Sequence, residues 1–113
     1  MKQLAAIADE AGLAPIDLHF AELMRRRART DPDVADVVAM TAALLSRERG
    51  RGHSCIDLDD WAGRPLIRAG RPAGPELPGR DAWERQLSRS GLAGGPEDAT
   101  PLVLDGAGRV YLR

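Results

Sequence analysis

The strongest constraint in this sequence is the segment from residue 30 to residue 50. Val34, Val37, Val38, Thr41, Leu44 and Leu45 recur on one face at the 3.6-residue period of an α-helix. Its ends carry matching punctuation. Thr30 or Asp31 caps the start, Pro32 fills the first turn and Asp33 complements the positive end of the helix dipole. Arg47 and Arg49 suit the other end, and Gly50 and Gly52 stop it. A helix this long, with so apolar a face, must be covered by the rest of the chain.

Upstream, the pattern stays helical. Leu4, Ile7, Ala8 and Ala11 keep helical spacing, and Gly12 ends that run. A second helix begins near Pro15. Its apolar stripe is Ile16, Phe20, Leu23 and Met24, with Leu18 at the edge, and it is expected to face the core. It runs into Arg25, Arg26, Arg27 and Arg29.

Downstream, the period changes. Ser54, Ile56 and Leu58 alternate with His53, Cys55 and Asp57, which predicts a short strand. Asp59 or Asp60 then caps a turn of helix holding Trp61. Residues 62–80 form a long loop in which eight of 19 residues are Gly or Pro; Leu66 and Ile67 are the side chains available to pin it. Asp81 caps a helix over 82–90 with Trp83, Leu87 and Gln86 inward. Residues 91–100 read as a loop. Pro101–Leu104 and Arg109–Leu112 flank the turn residues Asp105-Gly106-Ala107-Gly108 and form a hairpin. The chain stops at Arg113 within a strand-like run, as a piece of a longer protein would.

Composition removes several function classes. Of 16 basic residues, only Lys2 is lysine, and only Met1 precedes it, so a Walker A loop and lysine-based covalent chemistry have no residue to use. The net charge of −1 excludes a strongly basic whole-domain surface for nucleic acid. A single cysteine, Cys55, forbids an internal disulfide and fits a reducing compartment. No apolar run reaches the ~18 residues of a membrane span, and no secretory signal opens the chain. A cytoplasmic location without membrane contact is the expectation.

The remaining candidates for chemistry are sparse. His53 and Cys55 sit two apart on a strand with Asp57 following, but zinc needs about four ligands and none has matching spacing. Asp57, Asp59 and Asp60 form an acidic cluster that a cap and solvent explain equally well. Between residues 25 and 51, seven arginines face four acids. Arg25, Arg26, Arg27 and Arg29 are therefore candidates for phosphate contact in a small DNA-binding module. If the second and third helices are antiparallel, the arginines divide into two smaller patches. Gly50 and Gly52 follow a helix, the wrong setting for a phosphate loop. No catalytic centre, cofactor site or metal site is assigned.

Four segments together resemble one family, the N-terminal domain of RecD, the alpha subunit of the RecBCD helicase–nuclease (exodeoxyribonuclease V). They are Ile16-Asp17-Leu18-His19-Phe20-Ala21; Ala43-Leu44-Leu45-Ser46 followed by Gly52-His53-Ser54-Cys55-Ile56-Asp57-Leu58; a helix bearing Trp83, Leu87 and Ser90; and Pro101–Leu104 with Arg109–Leu112. The resemblance implies that Leu44, Leu45, Ser46, Gly52, His53, Cys55, Trp83 and Tyr111 are structural: a glycine for the helix exit, a hydrogen-bonded histidine at the junction, and a small packed cysteine. It implies RecC-like and RecB-like subunits as partners, with DNA met through the complete complex. ATP and Mg²⁺ would belong to motor domains of the parent helicase subunit, whose motifs have no counterpart here. The docking of that motor into the complex, for double-strand-break repair and recombination, would be this domain's role.

The expected architecture is α+β: a single domain over 1–113, with three to four helices packed on a small antiparallel sheet. Residues 1–50 form the helical part, and 51–113 the strand, loop, helix and hairpin. Leu4, Ile7, Phe20, Leu23, Val34, Val37, Val38, Leu44, Leu45, Ile56, Leu58, Trp83, Leu87, Leu102, Leu104, Val110 and Leu112 are the expected core.

Overall fold

A computed structural model describes residues 8–28, 31–64 and 76–112. Leu4, Ile7, Arg29, Thr30, Leu66 and Ile67 lie outside the described residues. The elements, in order, are α1 (Ala8–Ala11), α2 (Pro15–Arg27), α3 (Pro32–Gly50), β1 (Cys55–Asp57), α4 (Leu58–Trp61), α5 (Arg80–Arg89), β2 (Ala93–Gly94), β3 (Leu102–Leu104) and β4 (Arg109–Leu112). The class is α+β.

α3 is the axis of the fold. Asp31 caps it, its carboxylate accepting from the Val34 N–H at 3.0 Å. The helix is buried on more than the single face its larger residues mark: Ala35, Ala39, Ala42 and Ala43 are buried too. α2 packs antiparallel along one side. Arg25 near its end pairs with Asp36 near the start of α3, and Asp17 near its start meets Ser46 near the end of α3. Helical geometry puts Ala39 and Ala43 between Asp36 and Ser46 on that side, opposite Ala21 of α2. Thr41 points the other way, about 200° around from Ala39. There it meets Trp83 of α5, and β1 and β4 also pack on α3.

The sheet order is β1-β4-β3-β2. β1 and β4 are antiparallel with Ile56 opposite Val110, and β3 and β4 form the expected hairpin with Leu104 opposite Val110. The expectation of a purely antiparallel sheet is corrected at the edge: β2 runs parallel to β3, Ala93 opposite Leu102. β2 is two residues long, too short to carry an alternating pattern.

Three further expectations are corrected. The α2 stripe is turned by one residue: Asp17, Ala21 and Met24 are buried, whereas Ile16 is 71% exposed, Leu23 39% exposed and Phe20 half-buried. The small Ala21 fits against the alanines of α3, where Ile, Phe and Leu would not. α4 is capped by Asp57, whose carboxylate accepts from the Asp59 N–H at 3.0 Å. α5 begins at Arg80 with Gly79 at its cap, so Asp81 lies in the first turn. Leu104 and Leu112 pack half-buried against the core, which also takes Leu13, Met40, Trp61 and Leu77. Leu77 sits at the base of the 62–80 loop, closed by the Gly63 N–H on the Pro78 carbonyl (2.9 Å) and the Leu77 N–H on the Arg64 carbonyl (2.8 Å).

Candidate functional site

The residues that carried the family resemblance gather mostly at the C-terminal end of α3. Leu44 and Leu45 are fully buried. Ser46 donates its hydroxyl to Asp17 Oδ1 at 2.5 Å, and Asp17 Oδ2 accepts the Ala14 N–H at 2.8 Å. Asp17 is only 4% exposed. One carboxylate thus holds the start of α2 and ties it to α3. A buried carboxylate would be costly without those donors.

Arg47, next in sequence, is 6% exposed. Its Nη1 donates to the Ala11 carbonyl at 2.8 Å, closing the end of α1, and its guanidinium lies 5.1 Å from the centre of the Trp61 ring. Sequence reasoning placed Arg47 as a dipole partner at the helix end and as one of the seven arginines of residues 25–51, and left Asp17 out of the core. Only the Asp17–Ser46 spacing across the helix hairpin could have revealed the pair.

The exit from α3 uses glycine for its conformational freedom. Gly52 takes φ +95°. Its N–H reaches the Arg49 carbonyl and the His53 N–H reaches the Glu48 carbonyl, each at 3.0 Å. These two bonds make a Schellman closure, which satisfies carbonyls that the helix leaves unpaired. His53 therefore serves the junction through its backbone, and its side chain is exposed. The carbonyl end of a helix is also its negative end, so Gly50 and Gly52 make no phosphate cradle. At the other glycine pair, the Gly95 N–H is taken by Asp98 Oδ2 at 2.8 Å.

Cys55 is half-buried in β1 opposite Tyr111 of β4. The Tyr111 hydroxyl donates to Asp105 Oδ2 at 3.1 Å. Asp105 Oδ1 accepts the N–H groups of Ala107 and Arg109, both at 2.9 Å, and Arg109 Nε lies 3.3 Å from Oδ2. The backbone N–H of Arg109, with those of Ala107 and the tyrosine hydroxyl, holds the Asp105 carboxyl below its ordinary value. Desolvation, then the hydrogen bond to Asp105, pushes the Tyr111 phenol up. This carboxylate is the clamp of the hairpin turn.

Trp83 is fully buried, and its indole N–H donates to Thr41 Oγ1 at 2.8 Å. Arg80, one turn earlier on α5, links three elements. It pairs with Asp59 of α4 at 2.7 Å and with Glu84 at 3.1 Å, and its guanidinium lies against Gly108 of the hairpin turn. Asp57 and Asp59 are thus a cap and an ion-pair partner. Among the described residues no group of three or more His, Cys, Asp or Glu side chains is placed to hold a metal.

The arginines divide as an antiparallel helix pair requires. Arg25 pairs with Asp36 at 3.0 Å, and Arg26 with Glu22 at 3.3 Å. Arg27 and Arg49 are exposed at opposite ends of the pair. A cleft of about 500 Å³ opens beside the end of α3, lined by Gly12, Ile16, Arg49, Gly50 and Arg51 among others. No helix among the described residues is long and apolar enough to cross a membrane.

Buried polar side chains here join elements to one another, and the large exposed apolar side chains of the described residues lie on α2. That arrangement defines an α+β domain whose elements are tied together by buried polar contacts. Over residues 9–111 the sequence matches the family model described as the RecBCD enzyme subunit RecD, N-terminal domain. The chain belongs to that family. A comparison with the curated proteins found no match.

Proposed function

We propose that this domain is a non-catalytic assembly module: it docks a RecD-type subunit onto the RecC-like subunit of a RecBCD-type complex, beside a RecB-like subunit. The observation that carries the reading is the family match across nearly the whole chain. In the complex, the RecD-type subunit would act as an ATP-dependent 5′→3′ helicase on broken DNA ends, in repair and recombination. ATP and Mg²⁺ would be bound by motor domains, and DNA would be met through the assembled complex. The buried polar ties at Asp17, Arg47 and Thr41 support an assembly role, because they spend polar chemistry on rigidity.

Co-expression with the RecB-like and RecC-like subunits of the same genome tests this. Stable stoichiometric co-purification at moderate salt is the expected result. A folded chain that associates with neither subunit would overturn the proposal. Direct DNA binding by the chain alone, steeply salt-dependent and abolished by neutralising Arg25, Arg26, Arg27 and Arg29, would instead establish the DNA-binding reading.

A further inference from the structure

The outward face of α2 has a specific layout. Ile16, Phe20 and Leu23 stand at i, i+4 and i+7, one above the other along the helix. Ile16 and Leu23 are the large hydrophobic side chains exposed among the described residues. Arg27 continues the same stripe one turn beyond Leu23. At the other end, Arg49 lines the cleft that Ile16 also lines. Arg27 and Arg49 are both exposed, and neither forms an ion pair among the described residues. The row therefore reads cation, two exposed apolar side chains with the half-buried Phe20 packed on the core between them, cation. From Ile16 to Arg27 it spans about 16 Å along the helix axis.

We propose that this row is the docking surface for a protein segment of the partner subunit that is apolar in the middle and carries a carboxylate at each end. This rests on the assembly role proposed above and says which face performs it. The apolar centre supplies desolvation and the flanking arginines fix register, since guanidinium–carboxylate pairs are directional.

Two other occupants fit less well. A second copy, paired through a two-fold axis, would set arginine against arginine in the parallel arrangement, and in the antiparallel one would bring Arg27 of each copy towards Arg49 of the other. DNA would meet apolar side chains where its phosphates need cations.

The test uses the complete chain and the RecC-like subunit, with affinity measured by titration calorimetry at several salt concentrations. Ile16→Glu/Leu23→Glu should weaken binding by roughly tenfold or more while the variant still melts cooperatively, Ile16 being 71% and Leu23 39% exposed. Arg27→Glu/Arg49→Glu should weaken it and flatten its salt dependence. Arg85→Glu, exposed on α5 across the fold, should bind as the parent does. If the parent chain binds and Ile16→Glu/Leu23→Glu binds equally well, this inference is overturned while the assembly role stands. If the parent chain does not bind, the assembly role falls and takes this inference with it. A dimer of the chain alone that Ile16→Glu/Leu23→Glu dissolves would show self-association as the purpose of the stripe and overturn the proposal. DNA binding lost in Arg27→Glu/Arg49→Glu, with subunit affinity intact, would do the same.

Discussion

The contact between Trp83 and Thr41 joins the two halves of the chain, and its value can be worked out. Both side chains are fully buried. The indole N–H has one donor and no acceptor capacity, and its partner is Thr41 Oγ1 at 2.8 Å. The same hydroxyl donates to the Val37 carbonyl at 2.7 Å. That carbonyl lies within α3, four residues back along the helix. Thr41→Val preserves shape but leaves the indole N–H without a partner in a dry core. The penalty for such a stranded donor is about 1–3 kcal/mol. With an unfolding entropy of about 2.1 cal/mol/K per residue, a chain of 113 residues loses about 4 °C in Tm per kcal/mol. Thr41→Val should therefore melt roughly 4–12 °C lower. In a Trp83→Phe background there is no N–H to strand, and the same substitution should be neutral to within about 0.5 kcal/mol, because replacing both partners by apolar groups is nearly free. Circular dichroism melts and urea titrations of the four proteins in this cycle give the coupling directly. An equal cost for Thr41→Val in both backgrounds would refute the reasoning.

Three more outcomes follow from the same accounting of partners. Gly108 has φ +82°, and a Cβ there would lie 2.4 Å from an Arg80 guanidinium nitrogen; Gly108→Ala should cost the backbone strain of about 1–2 kcal/mol plus whatever moving Arg80 off Asp59 and Glu84 loses, so the cost should be smaller in an Arg80→Ala background. Equal losses in both backgrounds, read by urea unfolding, would count against the packing. Tyr111 is the only tyrosine, so phenolate absorbance reports it alone; its midpoint should lie above the ordinary 10.0 and fall part of the way back in Asp105→Ala, because burial, the larger cause, remains. The phenol is raised, so its contribution to stability is present below pH ~10 and lost as pH rises through the folded value; Asp105 is lowered, so its contribution is present above the ordinary 3.8 and lost as pH falls through its folded value. Asp105→Ala should accordingly flatten the acid limb of the stability profile, and an unchanged limb would show that the clamp contributes nothing. Finally, Ser46→Ala removes a donor from a buried carboxylate and should cost about 1.5–3 kcal/mol, whereas Ser54→Ala, at an exposed position, should move the melt by less than about 2 °C.

Much of the scaffold was legible because local chemistry decides it. The Asp31 cap, Pro32 and the valine–leucine period define α3 without help from the rest of the chain. The turn residues 105–108 define the hairpin in the same way, and Gly52 marked the helix exit. What the sequence hid is non-local. The burial of Asp17 depends on Ser46, 29 residues away, and that of Arg47 on the Ala11 carbonyl 36 residues away. No period or propensity announces such pairs. β2 was hidden for a different reason: two residues beside Leu102 and Val103 become a strand only through the neighbour that pairs with them.

The turn of α2 is where the fold departs furthest from its sequence pattern. A helix carrying Ile16, Phe20, Leu23 and Met24 reads as one that buries its larger side chains, yet the face against α3 is Asp17, Ala21 and Met24. The two faces differ by one residue, about 100° of rotation. Rolling the helix to cover Ile16 and Leu23, 71% and 39% exposed, would gain about 2–3 kcal/mol in all, less what uncovering Met24 would lose. The roll is blocked twice. It would push three bulky side chains against Ala39 and Ala43, where only Ala21 fits closely. It would also pull Asp17 from Ser46 and Arg25 from Asp36, the contacts that fix α2 at its two ends. The fold thus leaves part of Ile16 and Leu23 uncovered and fixes the exposed stripe in one orientation. A surface held in that way costs little further entropy when something docks on it, so the unclaimed burial remains available to a partner.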